Sequence, residues 1–123
     1  MQRLVGIIRT ADELEESLRE LDKLKERAKH LEVEGNRQYN PGWHLAIDLR
    51  NMLLVSECIA KAALTREESR GGHTRDDFPK TDNEKWGRLN LVLTLNQSGD
   101  GVDIVEQDLP VMPDDLKTLF EEK

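Results

Sequence analysis

The sequence predicts a mainly α-helical domain, an antiparallel three-helix bundle with a small C-terminal β-hairpin appendage. Three observations predict it. Of 123 residues, 37% are hydrophobic, 35% charged and only 4% aromatic, a balance that suits amphipathic helices better than a sandwich or barrel. Apolar residues recur at helical spacing from Leu14 to Leu31 and then crowd the run from Trp43 to Leu64. After Trp86 the period becomes two: Leu89, Leu91, Leu93 and Leu95 alternate with Asn90, Val92, Thr94 and Asn96. This divides the chain into a helical domain, residues 1–86, and a hairpin-and-tail extension, residues 87–123.

Residues 1–9 are short, with Leu4, Ile7 and Ile8 on one side if helical. Thr10-Ala-Asp-Glu13 has the form of a capping box, in which Thr10 and Glu13 satisfy each other's free amides. Leu14, Leu18, Leu21, Ala28 and Leu31 then form one stripe, with Leu24 beside it. Asp12, Glu13, Glu15 and Glu16 crowd the start while Lys23, Lys25, Arg27 and Lys29 follow, which complements the helix dipole. Arg19 can pair with Glu15 or Glu16, and Gly35-Asn36 supplies the stop.

Asn40 caps the next helix and Pro41 takes its first position. Apolar residues cover nearly every side of this helix, so it is expected to be central, with neighbours on several faces. His44, Asp48, Arg50, Glu57 and Lys61 interrupt it, which argues for a core helix rather than a membrane span. Trp43 and Trp86 are expected to anchor packing, and His44 to pair with an acid such as Asp48. Beyond the first strand, residues 96–101 make a turn and residues 102–107 return. Pro110 and Pro113 lead into a last short helical segment, residues 114–122.

The net charge of -7 argues against nucleic acid as a partner. Eight of the 25 acidic residues lie in residues 100–123, so the acidity belongs to the tail. Cys58 is the single cysteine, which excludes an intrachain disulfide and a cysteine-based zinc site. The N-terminus lacks a secretory h-region, and no apolar run suits membrane insertion.

The dense constellation is the charged stretch Glu67, Glu68, Ser69, Arg70, His73, Thr74, Arg75, Asp76 and Asp77. His73, Asp76 and Asp77 could ligate a metal, but zinc would call for a second histidine. Ser69 with His73 could be a nucleophile and base, but the strand–turn–helix elbow and a third member are missing. Gly71-Gly72 beside Arg70 and Arg75 could hold an anion. The structural alternative pairs Arg70 and Arg75 with the neighbouring carboxylates and uses the glycines for a tight bend.

The order of the pieces VGIIRTADELEESLREL, the asparagine-led apolar helix and LTREESRGGHTRDDFPKTDNEKW resembles the C-terminal domain of the succinate dehydrogenase/fumarate reductase flavoprotein family. The most specific part is Glu68-Ser69-Arg70-Gly71 followed by His73, Arg75, Asp77, Phe78, Pro79, Asp82 and Trp86. The resemblance covers residues 1–86, and nothing is carried over beyond them. It implies a parent subunit that interconverts succinate and fumarate on FAD and passes electrons to an iron–sulfur subunit. That parent would be cytoplasmic, or held at the cytoplasmic face of the inner membrane. L-aspartate oxidase and adenylylsulfate reductase share versions of the domain.

No G-x-G-x-x-G is present, so the resemblance implies no catalytic, cofactor-binding or metal residue here, and an inactive fragment. Glu68, Ser69, Arg70, Gly71, His73, Arg75 and Asp77 become an interdomain docking loop toward the flavin-binding domain of the same subunit. The competing expectations are a freestanding helical module that binds another protein, and a small metal-dependent enzyme.

Overall fold

The computed structural model describes residues 1–99 and 101–121. The elements run in the order β1 (Ile8–Arg9), α1 (Ala11–Ala28), α2 (Pro41–Thr65), β2 (Thr74–Arg75), β3 (Leu89–Leu95), β4 (Val102–Asp108) and α3 (Asp114–Glu121).

α1 begins where its capping box predicts. The Thr10 hydroxyl accepts from the Glu13 amide at 3.4 Å, and the Thr10 amide donates to the Glu13 carboxylate at 3.1 Å. Leu14 and Leu21 are buried and Leu18 packs beside them. The helix ends at Ala28, well before the expected stop at Gly35-Asn36. The reason is packing: Leu31 is exposed, so further turns would bury nothing to offset the cost of ordering them. Of the two predicted ion pairs, Glu15–Arg19 forms at 3.7 Å, whereas Glu16 is taken by Arg3 at 2.8 Å.

α2 starts on Asn40, whose side chain accepts from the Gly42 amide at 3.0 Å, with Pro41 in the first turn as predicted. Leu21 of α1 packs with Leu53 and Ala60 of α2, and Val5, Leu18, Ala28 and Leu49 close around them. Glu57 is buried in this seam, clasped by Lys25 from α1 and by Lys61 one turn along α2. Burial opposes its ionisation, but the two ammonium groups outweigh it and hold the carboxyl below its usual range.

Residues 1–9 do not supply the first helix of a bundle. They turn through the buried Leu4 and then run extended as β1, which pairs in parallel with β2 in the register Ile8↔Thr74 and Arg9↔Arg75. The β-branched Val5, Ile7 and Ile8 favour that extended course. The Thr74 amide reaches the Ile7 carbonyl and the Asp76 amide the Arg9 carbonyl, at 3.2 and 3.1 Å. The third helix, α3, follows the hairpin and makes no extensive packing with α1 or α2 among the described residues. The core is therefore a helical pair rather than the expected three-helix bundle.

β3 and β4 form the predicted antiparallel hairpin, from Leu89↔Asp108 to Leu95↔Val102. Val102 is its buried foot on the helices, and Lys61 donates to the Val102 carbonyl at 2.8 Å. Asp100, Glu122 and Lys123, parts of the predicted turn and tail, lie outside the described residues.

Candidate docking site

Two features stand out: an ionic clasp built from residues 66–86, where α2 ends and α1 begins, and an open apolar stripe along α2. The clasp has two carboxylates at its centre. Glu68 is fully buried and accepts from Arg66 Nε at 2.9 Å, Arg70 Nε at 2.9 Å, Arg70 Nη2 at 3.1 Å and the Asp82 amide at 2.9 Å. Burial alone would raise its pKa, but these four donors hold it at about 2. Arg66 also donates to the Trp86 carbonyl at 2.7 Å and lies over that indole at 5.5 Å, and Trp86 is itself buried. Arg70 goes on to Asn83 Oδ1 at 2.9 Å and the Asp82 carbonyl at 3.2 Å.

The second centre joins the helices. Arg75, only 1% exposed, grips Asp77 with two parallel bonds of 2.7 Å and caps α2 through the Ala63 and Leu64 carbonyls at 2.8 and 3.0 Å. Asp77 in turn accepts from the Ala11 amide, at the start of α1, at 3.0 Å. A cation thus closes the negative end of one helix and an anion the positive end of the other. Arg75 chiefly, with the Ala11 amide helping against burial, holds Asp77 at about 2.

The remaining predicted residues complete the turn. Ser69 Oγ accepts from the Arg75 amide at 2.9 Å and reaches the Phe78 carbonyl at 2.9 Å, leaving nothing directed at His73. Arg70 and His73 exchange backbone bonds across Gly71-Gly72, and the positive φ of 58° at Gly71 is what a tight II′ hairpin turn requires. His73 Nε2 lies 3.1 Å from the Arg66 carbonyl; burial first, then Arg9, Arg75 and Arg66, lower its pKa and favour the neutral ring. The seven predicted residues are brought together, with Gly71 exposed at the tip.

The chemical alternatives lose their ingredients to this network. Among the described residues no group of histidine, cysteine and acidic side chains could hold a metal ion. Ser69 has no base, Arg75 has every nitrogen engaged, and Arg70 is committed to Glu68, Asp82 and Asn83. The arrangement can hold two helix ends and a turn rigid. Because both carboxyls are depressed, the clasp stabilises the fold above their ordinary pKa of about 4 and releases it as pH falls through about 2. Urea midpoints followed by tryptophan emission are therefore expected to be level above about pH 5 and to drop steeply below about pH 4. A midpoint that stayed level down to pH of about 2 would remove Glu68 and Asp77 as the acid-sensitive groups.

The second feature departs from what the sequence predicts. α2 was expected to have neighbours on several faces, yet Leu45 is 67% exposed, Met52 64%, Val55 55% and Ile59 45%. Their spacing places all four on one side of the helix. The signal was present, since a helix apolar all round needs cover all round. This chain supplies cover on only one side. Trp43 stands edge-on to His44 with ring centres 5.3 Å apart, in place of the expected His44–Asp48 contact.

Fold and site together define a small helical domain with a structural clasp and an apolar stripe exposed along α2. The chain belongs to the fumarate reductase flavoprotein C-terminal family, whose model, "Fumarate reductase flavoprotein C-term", matches residues 1–117. The match runs past Trp86 through both hairpin strands, farther than the motifs alone carried the resemblance.

The "Fumarate reductase flavoprotein subunit" of Helicobacter pylori is 41% identical over 113 residues, covering 91% of this chain and 15% of that protein. Among solved structures, "Mycobacterium smegmatis Sdh1 in complex with UQ1" superposes with a TM-score of 0.86 at 52% identity, covering 95% of this chain and 20% of that one. Escherichia coli quinol fumarate reductase FrdA gives a TM-score of 0.77 at 26% identity, covering 88% and 19%. The chain therefore spans a fifth or less of these relatives' length.

Proposed function

We propose that this chain is the C-terminal docking domain of a flavoprotein subunit that interconverts succinate and fumarate on FAD. Its partner within the subunit is the flavin-binding domain, and an iron–sulfur subunit takes the electrons. The complex would work in the cytoplasm or at the cytoplasmic face of the inner membrane. Among the described residues no helix is long and apolar enough to cross a membrane.

The residues present do not fit FAD. No glycine-rich dinucleotide turn exists in the sequence, and the arginines of the clasp are engaged with its own carboxylates and carbonyls. No step of the redox reaction is assigned to this chain. Its contribution is mechanical: the loop Glu68–Asp77 holds the ends of α1 and α2 in one arrangement, and the stripe on α2 presents apolar surface to the flavin-binding domain. Residues 1–86 carry that contact, and residues 87–123 are an extension on them.

The observation that carries the reading is the exposed stripe Leu45, Met52, Val55 and Ile59 in a family member that spans a fifth or less of its relatives. Met52 reports on it directly, because peroxide converts exposed methionine to the sulfoxide. In the intact subunit Met52 is expected to oxidise on the order of tenfold more slowly than in the separate chain. Equal rates in the two settings would show the stripe uncovered and overturn the docking reading.

A further inference from the structure

The charged centres of the clasp are matched, with one exception. Arg9 lies on β1 directly across the ladder from Arg75, and its carbonyl accepts from the Asp76 amide. Its Nε is shut off from water and donates to nothing, and among the described residues no carboxylate pairs with it. Arg75 cannot share Asp77, whose two oxygens it already occupies at 2.7 Å each. Asp76, next to Arg75, is exposed, and among the described residues neither it nor Asp12 or Glu13, the nearest carboxylates in sequence, makes an ion pair with Arg9. Burial, and then the charge of Arg75, make the Arg9 cation less favourable than a free one. The other nitrogens of this half-buried guanidinium likewise have no acceptor among the described residues, and a cation left unpaired beside Arg75 is costly for a fold to keep.

The surroundings say what kind of acceptor is missing. Ile7 and Ile8, the two residues that precede Arg9 in the chain, are 70% and 63% exposed, so apolar surface lies next to the unpaired guanidinium along the backbone. A small hydrated anion would gain nothing from them. A protein surface would, since it covers the isoleucines and excludes water from the guanidinium, where a charge-assisted bond is strongest. A planar fork of N–H donors matches a carboxylate.

We infer that Arg9, flanked by Ile7 and Ile8, is the receptor for an aspartate or glutamate side chain carried by the remainder of the flavoprotein subunit. The inference rests on the docking reading, and adds a second, charged point of attachment on a different element from the α2 stripe. Arg9 is a positioning residue: it fixes the register in which the domain sits and touches no reacting atom.

The test uses the intact subunit with Arg9→Lys, which sets a primary amine where the guanidinium was. A water-soluble carbodiimide joins an amine to a carboxylate only when the two are in contact, and the joined peptides are read by mass spectrometry. The expected product links position 9 to an Asp or Glu outside the 123 residues, within one polypeptide, and is absent when Arg9 is native. No link in an Arg9→Lys subunit whose Met52 stays protected, a link confined to acids of this chain such as Glu13 or Asp76, or a link only between two copies of the subunit would each overturn the inference.

Met52 oxidation in the same variant keeps the two ideas apart. Protection of Met52 without the cross-link leaves docking standing and removes Arg9 from it. Loss of protection in both the native and the Arg9→Lys subunit sinks the docking reading and this inference with it. Protection in the native subunit alone, with the link absent, sinks only the version in which a lysine amine reaches the carboxylate. Arg9→Glu then decides: charge reversal should lower the flavin-loaded fraction of subunit by about tenfold or more, because like charges brought together at an interface are strongly penalised. An unchanged fraction overturns the receptor role.

Discussion

Replacing Arg75 with alanine is expected to destabilise the fold by about 3–5 kcal/mol, the usual range for removing one partner of a buried ion pair. Three losses coincide. Asp77 would keep its charge with only the Ala11 amide to answer it, the Ala63 and Leu64 carbonyls would lose the donor that caps α2, and a fully buried side chain would vanish from the junction of both helices. Urea unfolding followed by tryptophan emission measures the change. The double variant Arg75→Met, Asp77→Asn should recover part of it, because neither site is then left with an unanswered charge. The contrasting control is Arg19→Ala, whose partner Glu15 stands 3.7 Å away with both side chains more than half exposed, and which should cost under about 1 kcal/mol. A loss at Arg75 no larger than at Arg19 would mean that the clasp does not hold the helices.

The local features were the legible part of this fold. The Thr10–Glu13 box, the Asn40 cap with Pro41, and the period-two strand after Trp86 each depend on residues close in sequence, and each stands where the pattern put it. What the pattern could not supply was tertiary context. Residues 1–9 have helix-compatible spacing, but β2 lies some 65 residues away in the chain and captures Ile8 and Arg9 as a strand. The stop at Gly35 failed for a similar reason, since a helix lasts only while it has something to pack against.

The clasp shows the same division. Its membership is readable from charge density, and so is the pairing of Arg70 and Arg75 with neighbouring carboxylates. Which carboxylate each takes is not: Arg70 closes on Glu68 and Arg75 on Asp77. Sequence distance hides which of several nearby carboxylates a guanidinium will choose. Arg9 has no sequence signature, because an isolated arginine beside apolar residues looks ordinary until the fold shows it without a partner.

Val55→Asp is expected to separate the folding of this domain from its docking. Val55 is 55% exposed in the chain, on the side of α2 away from Leu53 and Ala60, so a carboxylate there remains hydrated and should change the stability of the separate domain by under about 0.5 kcal/mol. In the subunit the same position would lie under the flavin-binding domain. Burying an unpaired carboxylate there costs several kcal/mol, and a cost of about 3 kcal/mol is already more than a hundredfold in an equilibrium constant. The Val55→Asp subunit should consequently release its flavin or lose its hold on the iron–sulfur subunit, while Val55→Leu, which keeps an apolar side chain, should stay close to native. Flavin content after gel filtration, read from the visible absorbance, gives the comparison. Native flavin content and native succinate–fumarate turnover in the Val55→Asp subunit would mean that the stripe faces water there too. The apolar surface of α2 would then need another explanation than the domain beneath it.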